Sequence, residues 1–158
     1  MYRLAVVPLD GSPVAEAILP FVLEIAGPLD MEVALLRVLQ PVPPQVIEGS
    51  RHVVVEDVEA RRLDAEEYLA PLAAELRAKA VRVQTHVRRG DPAAEIVGCA
   101  REIGAALVAM TTHGRSGLGR LVFGSVAEAV LRHAHLPVLL MRMTEAEVAS
   151  RAAREVAR

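Results

Sequence analysis

The feature that most constrains this chain is an alternation of short apolar, β-prone runs with longer stretches of helical period. Arg3-Leu-Ala-Val-Val-Pro8 comes first. Glu32-Val-Ala-Leu-Leu-Arg-Val38, Val81-Arg-Val-Gln-Thr-His-Val87, Ala105-Ala-Leu-Val-Ala109 and Val138-Leu-Leu-Met141 follow. A run that is apolar on both faces suits a strand buried on both faces, the condition of a parallel sheet covered by its own crossover helices. The expected fold is therefore a single-domain α/β protein with an open, five-stranded parallel sheet, helices on both faces and right-handed connections. The third run alternates and has a wetter face, which places it nearer the sheet edge.

Capping signals punctuate the helices. Ser12 reads as an N-cap with Pro13 in the first helical position, and Asp91-Pro92 repeats the pattern. Val14, Ile18, Phe21, Val22 and Ile25 share one helical face, which Pro20 should interrupt with a kink or irregularity before Gly27-Pro28 stops it. Proline density makes Gln40-Pro-Val-Pro-Pro44 a loop, and about ten residues from Gln45 have no clear period and are expected to continue it. A long helix is predicted over Glu56–Lys79 with Ala65, Leu69, Leu72 and Leu76 buried, and Pro71 should leave it kinked or in two pieces. Ala93, Ile96, Val97 and Ala100 form the face of the next helix. The strand-rich body spans 1–142. Residues 143–158 form a helical extension in which Thr144 and Glu147 make a capping box. Its thin stripe of Ala149, Ala152, Ala153 and Val156 should dock on the body or a partner, or fray.

With 158 residues, 53% apolar but only 3% aromatic, the chain can build one aliphatic core. Eighteen basic and twenty acidic residues leave no electrostatic footprint for nucleic acid. The lone Cys99 cannot form an internal disulfide, no apolar run reaches membrane-spanning length, and Met1-Tyr-Arg-Leu enters directly into a strand pattern. These features predict a cytoplasmic protein with no cleaved signal and no membrane partner.

Chemistry concentrates in Met110-Thr-Thr-His-Gly-Arg-Ser-Gly-Leu-Gly-Arg-Leu-Val-Phe-Gly-Ser125, between the fourth strand and a helix from Val126 to His133. Gly114, Gly117, Gly119 and Gly124 allow backbone N–H groups to approach a ligand, and the helix start adds donors and partial positive charge suited to phosphate. In open α/β sheets ligands bind beyond the carboxyl ends of the strands, where strand order reverses. Asp10-Gly-Ser after the first strand and the glycine loop after the fourth should therefore converge on one crevice.

At this point the residues resemble the universal stress protein family. The nucleotide-binding members of that family carry Gly, two residues, Gly, nine residues, then Gly with Ser or Thr. Here Gly114 is followed nine residues later by Gly124 and Ser125, while Thr111 stands at the first glycine position. Val7-Pro-Leu-Asp-Gly-Ser12, Gly-Ser-Val-Ala-Glu after the loop and Leu136-Pro-Val-Leu-Leu140 are similar to the family as well, so the resemblance reaches about Arg142. It implies a Rossmann-like sheet of the adenine nucleotide α-hydrolase kind, in order 3-2-1-4-5. It also implies bound ATP, with any Mg²⁺ held by phosphates and water, and a homodimer through the fifth strand at 138–141. Gly114, Gly124 and Ser125, with Val126 beside them, would meet the phosphates. Pro8, Leu9, Asp10 and Val38 would lie on the adenine and ribose side. Met110, Thr111 and His113 would floor the crevice, and Arg115 and Gly117 would flank the phosphates.

Several of these residues also have plain structural readings. Ser125 and Glu128 have capping-box spacing, Asp10 could stabilise a turn, and Arg115 and Arg120 could be solvated. Ser12 lacks the flanks of a nucleophile elbow, and His113 has no placed partner as a base. His133 and His135 have the wrong spacing for a helical zinc pair. There is no P-loop, and the glycine spacing is wrong for a dinucleotide fingerprint. The loop has no lysine for a transferring phosphoryl group, which favours a nucleotide-holding regulatory protein. A slow ATP hydrolase or nucleotidyl-transfer enzyme, and a dimeric interaction protein that binds no nucleotide, are the alternatives.

Overall fold

The computed structural model describes residues 3–43, 45–46, 53–54, 56–113 and 124–156. Five parallel strands form the main sheet: β1 (Leu4–Pro8), β2 (Glu32–Leu39), β5 (Val83–Arg89), β6 (Leu107–His113) and β7 (Val138–Met143). Their order is β5-β2-β1-β6-β7, which is 3-2-1-4-5 when only these strands are counted. β1 lies at the centre with Val6, Val7 and Ala5 at 0% exposure. β5, the alternating run, is an edge strand as its wetter face predicts.

The pleat sends alternate residues to two cores. Ala5, Val7, Val33, Leu35 and Ala109 pack beneath the helices α1 (Pro13–Glu16), α2 (Leu19–Ala26) and α3 (Val58–Ala78). Val6, Ala34, Leu36, Val108 and Met110 face α4 (Pro92–Glu102) and α5 (Ser125–His133). Burial of these Val, Leu and Met side chains, each stabilising by roughly 1.5–3 kcal/mol, drives the two-faced packing.

Local chemistry sets the helix starts. Ser12 Oγ accepts from Ala15 N at 3.1 Å, and Asp91 Oδ2 accepts from Ala94 N at 2.9 Å, each followed by a proline that lacks the orphan N–H. Pro20 divides the first helical region into α1 and α2, and sits in the first turn of α2 where no backbone donor is needed. Pro71, by contrast, leaves α3 as one element of 21 residues, so of the two expected outcomes, a kink or two pieces, the division does not occur. Leu72 is only partly buried there, and Ala73 replaces it in the fully buried row.

Other boundaries differ from the sequence reading. Gln45–Val46 (β3) and Val53–Val54 (β4) pair antiparallel where only loop was expected. β6 runs on through His113, so Met110–His113 is strand rather than loop, paired residue by residue with β7 as far as Met143. The last strand thus passes the 142/143 boundary. Thr144 and Glu147 then cap α6 (Glu145–Val156) reciprocally, with Glu147 N to Thr144 Oγ1 at 3.2 Å and Thr144 N to Glu147 Oε2 at 2.7 Å. Hydrogen bonds from Thr144 hold the Glu147 carboxyl below its usual range. α6 docks through Arg151, whose guanidinium carbon lies 4.4 Å from the Phe21 ring centroid. The expected stripe of Ala149, Ala152, Ala153 and Val156 is exposed instead.

Candidate functional site

At the carboxyl ends of the strands, β2-β1-β6 form the point where strand order reverses. β1 pairs with β2, reached by one crossover, and with β6, reached only after the chain has covered the opposite face. A cleft of about 490 Å³ opens there.

Each wall has a physical origin. Beyond β1, Asp10 Oδ1 accepts from Ser12 N at 2.9 Å, an Asx-type turn that aims the chain into α1. Gly11 in that turn has φ of +89°, a conformation that side-chain-bearing residues rarely adopt. Leu9 N bonds Leu36 O at 2.8 Å and keeps the turn against β2. On the far wall, buried Thr112 accepts from Gly124 N through Oγ1 at 3.2 Å, which ties the start of α5 to the end of β6. Gly124 is the N-cap of α5, with no side-chain cap bond, and Ser125 is the first helical residue. The Ser125–Glu128 capping box is therefore corrected: Glu128 pairs with Arg132 at 2.7 Å instead.

Pro8, Leu9, Asp10, Val38, Met110, Thr111, Gly124, Ser125 and Val126 all line this one cleft. They come from four elements up to 118 positions apart between Pro8 and Val126. His113 closes β6 opposite Met143, and its side chain lies outside the described residues. So do Gly114, Arg115 and Gly117, together with Gly119 and Arg120.

The sequence reading missed the cationic wall. Arg37 and Arg61 both line the cleft, as do Gln40 and Pro92. Arg61 is committed: its Nη1 donates to Gln40 O at 2.9 Å and it ion-pairs with Glu56. Glu56, with a side chain only 6% exposed, also takes Arg89 at 3.0 Å and Val42 N at 3.2 Å. Arg37 has one long bond, from Nη1 to Leu9 O at 3.4 Å, and stands 5.8 Å from the Tyr68 ring centroid. Tyr68 donates to Glu16 Oε1 at 2.8 Å, and burial followed by that carboxylate pushes its phenol far above the usual value. Arg37 read from sequence is one polar residue inside an apolar strand, a signal that could have marked it.

Two further features bear on chemistry. Thr111 Oγ1 is buried and has no hydrogen-bond partner among the described residues. Cys99 is fully buried, and that burial pushes its thiol up, away from reactivity. Among the described residues, no three His, Cys, Asp or Glu side chains cluster to hold a metal, and no helix is long and apolar enough to cross a membrane.

Comparison with known proteins gives one family. The universal stress protein family profile matches residues 1–142. A universal stress protein of Methanocaldococcus jannaschii is 35% identical over 150 residues, covering 93% of this chain and 86% of that protein. A solved universal stress protein family structure from Burkholderia pseudomallei is 28% identical with a TM-score of 0.68, covering 89% of this chain and 96% of its own. Another, from Archaeoglobus fulgidus in complex with dAMP, has a TM-score of 0.63 at 23% identity and covers 89% and 97% of the two chains.

Proposed function

The chain belongs to the universal stress protein family, and on that premise we propose that it is a regulatory ATP-binding protein whose nucleotide occupies the β1/β6 cleft. The observation that carries this reading is Gly124. Its φ of −61° suits any residue, and among the described residues an added Cβ would meet nothing closer than Thr112 Oγ1 at 3.8 Å. Glycine serves an N-cap, but Ser, Thr, Asp or Asn would serve it as well or better, so neither the cap, the dihedral nor the packing among the described residues calls for glycine in particular. A phosphate drawn against the N–H groups that open α5 does, because a side chain would occupy its space.

The described residues fit such a ligand. Ser125 adds an exposed hydroxyl at the phosphate end, Asp10 can accept a ribose hydroxyl, and Val38 with Met110 offers apolar surface for a base. Any Mg²⁺ would ride on the phosphates and water. The dAMP complex of the Archaeoglobus relative supports an adenine nucleotide in this fold. The lysine-free loop from Met110 to Ser125 supports holding over hydrolysis, so occupancy would act by altering a cytoplasmic homodimer or the surface offered to a partner.

The test is to denature the purified protein, identify any nucleotide released, and measure thermal midpoints of the emptied protein with ATP, ADP and AMP. ATP at about 100 times its Kd should stabilise the chain by about 2.7 kcal/mol. Gly124→Leu should abolish that gain, and as a poorer N-cap it should also lower the unliganded midpoint, so the gain is read as the difference with and without nucleotide in each protein. No released nucleotide and no gain from any of the three would overturn the reading.

A further inference from the structure

A guanidinium carries five N–H donors in a fixed fork. Arg37 uses one, at 3.4 Å, which is beyond the usual range for such a bond. Among the described residues no carboxylate lies within 4.0 Å of it, whereas Arg61, Arg62, Arg82, Arg88, Arg89 and Arg132 all have one. Arg37 is also half-buried and lines the cleft. Withdrawing a charge from water is unfavourable, and besides the Leu9 carbonyl and the Tyr68 ring Arg37 has no anionic partner among the described residues, so its place in the cleft points to an anion that arrives with the ligand.

Its placement says which anion. β2 and β6 flank β1, so the backbones that carry Arg37 and Thr112 stand about 10 Å apart, two strand spacings. The alternation of β2 turns Arg37 toward the α1–α3 side with Leu35, while Gly124 and Ser125 lie on the α4–α5 side. Arg37 and the start of α5 therefore approach the cleft from opposite faces of the sheet. Arg37 instead adjoins the β1 turn, where a Cβ on Gly11 would lie 3.6 Å from its Nη2. That is the ribose end of the ligand, given the reading above on which this inference rests.

We propose that Arg37 binds a second phosphate, carried on the ribose, so that the cleft selects adenosine nucleotides phosphorylated at both the 5′ and the 3′ (or 2′) positions. The α5 end takes the 5′-phosphate, Arg37 takes the ribose phosphate, and Asp10 accepts from the hydroxyl that remains free. Arg37 offers that phosphate a bidentate pair of donors.

Calorimetric titration of the emptied protein with 5′-AMP, ADP and adenosine 3′,5′-bisphosphate tests the proposal. ADP carries as many phosphates as the bisphosphate, but both are on one end. The bisphosphate should bind about tenfold or more tighter than AMP, the size of one charge-assisted bond, and tighter than ADP. In Arg37→Gln the AMP-to-bisphosphate affinity ratio should fall toward one, and Arg37→Lys should restore part of it. Thermal melts of both variants without ligand show whether Arg37 only pins the Leu9–Gly11 turn. A lowered midpoint with an unchanged ratio would establish that structural role and overturn the proposal. A wild-type protein that binds AMP and ATP with no preference for the bisphosphate would overturn it and leave the nucleotide reading standing. A protein that binds none of them would overturn both.

Discussion

At the residue scale, Thr111 and Thr112 show how a strand divides labour between adjacent hydroxyls. They point to opposite faces of β6 because side chains alternate along a strand. Thr112 Oγ1 holds Gly124 N and thereby anchors α5, whereas Thr111 Oγ1 is buried with no partner among the described residues. An unsatisfied buried hydroxyl costs about 1–3 kcal/mol, and an isosteric methyl does not. Thr111→Val should therefore raise the unfolding free energy by about 1 kcal/mol in denaturant melts of the empty protein. Thr111→Gly removes the same hydroxyl but loses strand order, so it should be less stable than Thr111→Val by about 1 kcal/mol. A destabilised valine variant would mean that the hydroxyl has a partner after all. That Thr111 and Gly124 come to one cleft was legible from their spacing. The place of Arg37 was not, because that it has no ion pair among the described residues depends on residues distant in sequence.

At the element scale, β5 shows how an edge strand tolerates polarity. Gln84, His86 and Arg88 alternate with Val83 and Val87, which pack into the core beneath α3. Gln84 donates to Glu32 Oε1 at 2.7 Å, His86 Nε2 meets Gln84 Oε1 at 3.1 Å, and Arg88 binds Glu102. Burial first, and the Arg88 charge second, hold His86 below the ordinary imidazole value of about 6.5. The unfolded chain then binds a proton more readily than the folded one. Stability should hold above about pH 6.5, fall as pH drops below it, and level off once pH passes beneath the folded value. Denaturant melts between pH 5 and 8 should show a slope in that window that His86→Gln removes. An unchanged slope would show that other groups cause it. The alternation of β5 predicted its edge position, but the β3–β4 pairing had no period to reveal it. Two-residue strands depend on where the β2 and α3 ends hold them, and local pattern does not record that.

At the scale of the whole molecule, β7 is the outer strand of the sheet. Val138, Leu139, Leu140 and Met141 are only partly buried, and among the described strands it pairs with β6 alone. An apolar edge strand of this kind is a template for a second chain. Sedimentation equilibrium at micromolar concentration should thus give twice the 17.0 kDa mass of one chain. A monomer throughout the concentration range would exclude the homodimer through 138–141. The sequence by itself determined the α/β alternation, the caps at Ser12, Asp91 and Thr144, and the polarity of the edge strand. These are local matters of period, dihedral preference and nearby hydrogen bonds. Only the tertiary structure decided that Pro71 leaves α3 whole, that the α6 alanine stripe faces water, and that Arg37 lies in the cleft with no ion pair among the described residues. Each depends on which distant surfaces meet, and packing of the whole chain sets that.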